Sequence, residues 1–140
     1  MMDEATISKA QQIAKAAREF QLQRTGHNPQ AVTVVLSAET LVITLHGALS
    51  EAEKNLAQNP AGALQVQEYH RQLFANNCEA LRQEIKRITG VPVREAAAEV
   101  ETTTGTVVHA FTAGTMVQVF LLAEKVATEF HDVRGSIDAT

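Results

Sequence analysis

The stretch SEAEKNLAQNPAGALQVQEYHRQLFANNCEALRQEIKRITG, residues 50–90, decides the architecture. Ser50-Glu51-Ala52-Glu53 is a capping box: the Ser50 hydroxyl can accept the Glu53 N–H, and the Glu53 carboxylate can reach back to the Ser50 N–H. Asn59-Pro60 breaks that first helix, because a residue before proline is pushed out of the α region. A second helix is predicted from about Ala61 to Thr89, with Gly90 as its left-handed stop and Pro92 just beyond. Its apolar stripe reads Leu64, Val66, Tyr69, Leu73, Phe74, Cys78, Leu81, Ile85 and Ile88. At 1.5 Å per residue such a helix extends roughly 42 Å, whereas a domain of this size has a radius of gyration near 14 Å. It therefore spans the whole domain and offers a seam to a second copy. Dimerisation through this helix is the expectation.

Working outward toward the N-terminus, Glu4 to Arg24 places Ile7, Ala10, Ile13, Ala14, Ala17 and Phe20 at helical spacing. This alanine-rich stripe suits close packing on another surface. Gly26 and Pro29 end the helix. Ala31–Leu36 and Leu41–His46 follow as β-rich runs, and the polar link Ser37–Thr40 reads as a hairpin connection.

Beyond Gly90, a strand from Val91 to Glu101, a second over Thr106–Thr112 and a third over Met116–Ala123 read as an antiparallel meander. The last is the most apolar and is expected at the centre. Residues 124–140 place Val126, Phe130 and Val133 at helical spacing, which predicts a short helix and a frayed end. The expected fold is α+β. One domain over residues 1–140 sets a sheet of about five strands, hairpin plus meander, against an N-terminal helix and a long central helix.

Composition narrows the function classes. The chain has 140 residues, 45% of them hydrophobic, and a formal charge of −4. That balance disfavours nucleic acid, which is held by clustered Lys and Arg. No apolar run approaches the ~18 residues of a membrane span, so direct insertion is not expected. A single cysteine, Cys78, and an acidic start at Met1-Met2-Asp3-Glu4 fit a cytoplasmic protein. The five histidines are scattered without metal-ligand spacing. No phosphate loop or nucleophile elbow occurs, so no metal, cofactor or catalytic residue is assigned and no enzyme is expected. The candidate ligand site is His46, Gly47, Ser50 and Glu53, where a strand end meets free helix N–H groups that can hold an anion or nucleotide.

The order of these elements resembles a known family. The carriers are Gly26 to Pro29, the valine-rich segment after it, and Leu45-His46-Gly47-Ala48-Leu49-Ser50-Glu51-Ala52-Glu53-Lys54-Asn55-Leu56. Ile88-Thr89-Gly90-Val91-Pro92-Val93 and Val117-Gln118-Val119-Phe120-Leu121-Leu122 complete the set. Over roughly residues 5–123 this is similar to the MpsC-like family, part of a Na+-translocating membrane potential-generating system. The resemblance implies a non-enzymatic accessory or regulatory module for bacterial cation or inorganic-carbon transport. It would reach the inner face of the membrane through a protein partner. The alternative is a small-ligand sensor.

Overall fold

A computed structural model describes residues 8–101 and 114–132. The expected strand over Thr106–Thr112 and the tail beyond residue 132 lie outside the described residues. Helix α1 spans Lys9–Thr25. It starts at Lys9 because Ser8 is extended and its hydroxyl accepts the Gln11 N–H, and it stops at Gly26 (φ 77°). Glu129 supplies a further cap, its carboxylate accepting the Ala10 N–H at 2.8 Å. Strand β1 is Ala31–His46, α2 is Glu51–Leu56, α3 is Pro60–Thr89, β2 is Val93–Glu101 and β3 is Thr115–Asp132.

Among the described residues there are three strands, in the order β1-β3-β2, all antiparallel. This corrects the count of five. The expected hairpin over residues 31–46 is one strand, and the physical reason lies at Ser37–Thr40. In a regular strand, residues 36 and 41 would point to opposite faces. Yet Val32, Val34 and Leu36 and then Leu41, Ile43 and Leu45 are all buried. Register shifts flank Ala38, which sits at φ 55°, so the alternation changes phase without a reversal. A phase change and a turn look alike in sequence.

The expected helix after Glu124 is likewise corrected. β3 continues to Asp132 along the first half of β1, pairing Val35 with Phe130 and Thr33 with Asp132. Val126 and Phe130 are four residues apart, a spacing that suits a strand face as well as a helix face. The apolar run near residues 116–122 does form the middle of the sheet.

α1 and α3 share a core with the sheet. Ala10, Ile13, Ala14 and Ala17 from α1 and Leu81, Ile85 and Ile88 from α3 meet Leu36, Leu41, Ile43, Leu45, Phe120 and Leu122. Arg82 ties α3 to β2 by donating to the Val93 carbonyl at 2.9 Å.

Candidate functional site

The site is built from the start of α2. Both halves of the capping box are formed: Glu53 N donates to Ser50 Oγ, and Ser50 N donates to Glu53 Oε1 at 2.9 Å. Asn59 then caps α3 by accepting the Gly62 N–H at 2.8 Å, with Pro60 in the first turn. Gly62 permits a close approach of the two helices. A β-carbon there would lie 1.8 Å from the Leu56 carbonyl oxygen.

This tight crossing aims the second oxygen of Glu53 at α3. Oε2 lies 2.7 Å from His70 Nε2, with the imidazole fully buried and the carboxylate side chain 20% exposed. Burial alone would push the Glu53 carboxyl upward. The hydrogen bonds from His70 and from the Ser50 N–H outweigh it and hold the group below its ordinary value. An ionised Glu53 accepts from Nε2–H, which leaves His70 Nδ1 on the far edge of the ring without a protein partner.

His70 also lines a cleft between α1, α3 and β3. Gln21, His70 and Gln118 contribute polar walls; Phe20, Phe74 and Leu81 are among the apolar ones. The cavity volume is about 30 Å³. Its α1 and α3 rims are half-buried at Phe20, Arg24, Leu73, Phe74, Asn77 and Cys78, so the mouth opens between the two helices. Arg24 bridges it, donating from Nε to Asn77 Oδ1 at 2.6 Å with its guanidinium 5.4 Å from the centre of the Phe20 ring. Burial pushes the Cys78 thiol up, despite nearby Arg82.

The four expected site residues separate into two groups. Ser50 and Glu53 lie together, each engaged by the other. His46 instead places Nε2 3.0 Å from the Thr33 hydroxyl. Gly47 (φ 63°) offers its carbonyl to His27 Nε2–H at 2.9 Å and packs so closely on Gln30 that a side chain there would collide. Sequence reasoning passed over His70, Gln21 and Gln118. Each was readable as a polar residue at a core position: Gln118 shares its strand face with Met116, Phe120 and Leu122, and His70 follows Val66 by one turn. Among the described residues, no three His, Cys, Asp or Glu side chains gather as a metal site, and no helix is long and apolar enough to cross a membrane.

Comparison with known proteins adds a family. No curated protein and no solved structure matches the chain. The match to a family profile covers residues 6–115 and stops at the first residue of β3, so Val117–Leu122 falls outside it. With that span, the chain belongs to the family described as Na+-translocating membrane potential-generating system (MpsC).

Proposed function

We propose that the protein is a non-enzymatic accessory or regulatory module associated with a bacterial membrane system for cation or inorganic-carbon transport. It acts as a homodimer through α3 and reaches the membrane complex from the cytoplasmic side by protein contact. The observation that carries this reading is the middle of α3. The helix is 30 residues long, about 45 Å, yet none of positions 71–80 is buried. Near its start Leu64 is 66% and Tyr69 48% exposed. Over positions 71–80 one face, Arg71, Gln72, Ala75, Asn76, Glu79 and Ala80, is exposed, and a long helix with such a free face is suited to docking.

The alternative, a sensor taking an anion or nucleotide at His46, Gly47, Ser50 and Glu53, has less to support it. The Ser50 and Glu53 N–H groups are already satisfied within the cap. The ionised Glu53 would also repel an incoming anion.

The test is the sodium-dependent part of the membrane potential, read with a voltage-sensitive dye in cells with and without the chain. Its loss without the chain, and its return on re-expression, are expected. An unchanged sodium-dependent potential would overturn the proposal.

A further inference from the structure

We infer that the cleft between α1, α3 and β3 binds a small uncharged ligand whose head group both donates and accepts hydrogen bonds, a primary carboxamide being the simplest, with an apolar body lying between Phe20 and Phe74. Three side chains from three different elements line this one space: Gln21 on α1, His70 on α3 and Gln118 on β3. Each is more than nine-tenths buried, with 7%, 1% and 5% of its surface exposed. Each also holds an atom with no protein hydrogen-bond partner: Gln21 Nε2, His70 Nδ1 and Gln118 Oε1. Buried polar atoms without partners are rare, and three of them on side chains that line one cavity call for a complementary group. Among the described residues, the other end of the Gln118 amide meets the Met116 sulfur, a weak acceptor, at 3.6 Å.

The chemistry of the ligand follows from what the walls offer. Gln21 Nε2 donates, Gln118 Oε1 accepts, and His70 Nδ1 accepts while Nε2–H is given to Glu53. An anion would be repelled by the Gln118 oxygen and the Nδ1 lone pair. A cation would be repelled by the Gln21 N–H and the Arg24 guanidinium. The Arg24 guanidinium itself is held at the rim by the Asn77 oxygen and the Phe20 ring. A head carrying N–H and C=O side by side matches all three in donor and acceptor sense. The cavity volume of about 30 Å³ admits only such a small head, the remainder of the ligand lying toward the mouth beside the Arg24–Asn77 bridge.

Benzamide, benzoate and benzylamine form a matched set that differs only in the head. Titration of the full chain should give a dissociation constant on the order of 1 mM for benzamide, as expected for ligands this small. At about 10 mM it should raise Tm by a few degrees and move the side-chain amide resonances of Gln21 and Gln118. The two charged analogues should do neither. Gln118→Leu, which removes an unpartnered polar atom, should keep or raise the Tm of the free protein and lose the benzamide response. If that variant fails to fold, Gln21→Leu provides the same comparison. A wild-type chain that ignores benzamide, one that responds equally to all three compounds, or a folded variant that responds as wild type would overturn the inference.

Discussion

His70 and Glu53 stand seventeen residues apart and meet with Nε2 2.7 Å from Oε2. The contact joins the cap of a short helix to the long one, and one carboxylate serves both. Its first oxygen takes the Ser50 N–H and its second takes the imidazole.

Because the Glu53 carboxyl is held below its ordinary value of 4.5, its contribution to stability has a defined sign with pH. The stabilisation is fully present above the unfolded value and is lost as pH falls through the lower folded one. Glu53→Gln should cost about 1–2 kcal/mol at pH 7. The cost should shrink as the pH is lowered below 4.5, because the wild type loses the same interaction there. Urea unfolding of both proteins from pH 7 to pH 3 measures this; a constant difference would contradict it.

Ser50→Ala removes the hydroxyl that accepts the Glu53 N–H and should cost about 1 kcal/mol. The test is the denaturant midpoint at unchanged slope. An unshifted midpoint would mean that the cap contributes nothing to holding α2.

Gly62→Ala would ordinarily stabilise a helix by about 1 kcal/mol. Here the added methyl lands 1.8 Å from a backbone oxygen of Leu56, which has no rotamer by which to move away. A net loss of about 2 kcal/mol or more is expected, with α2 displaced from α3. A gain in stability would refute the close crossing.

Ala38 holds a left-handed conformation at φ 55° in the middle of β1. Ala38→Gly should therefore gain about 0.5–1 kcal/mol, and Ala38→Val should lose at least as much. Thermal unfolding of the two variants provides the check. Equal stabilities would mean that the strand irregularity lies elsewhere.

These cases also show what was legible in the chain. Caps and stops are written locally, so Ser50, Glu53, Gly26 and Gly90 announced their roles by spacing alone. Strand continuity is not local. Whether Ser37–Thr40 turns or merely slips phase depends on β3, more than eighty residues away, which runs beside the whole of β1. The site was hidden for a related reason. His70 looked like one of several scattered histidines until the Gly62 crossing brought Glu53 to it. Gln21 and Gln118 needed the packing of α1 and β3 to become neighbours of the same cleft. The family resemblance rested on helix boundaries, on the valine-rich segment and on Val117–Leu122; the match over residues 6–115 spans both ends of the long helix and leaves that last run outside.

The homodimer is proposed to form on the exposed face of α3 that carries Arg71, Gln72, Ala75, Asn76, Glu79 and Ala80. Light scattering coupled to size-exclusion chromatography tests this directly, on the wild type and on Ala75→Arg, a change at an exposed position of that segment. A particle of twice the 15.2 kDa chain mass, reduced to a single chain by the substitution, is the predicted result. A wild-type particle of 15.2 kDa, or a dimer indifferent to Ala75→Arg, would contradict it.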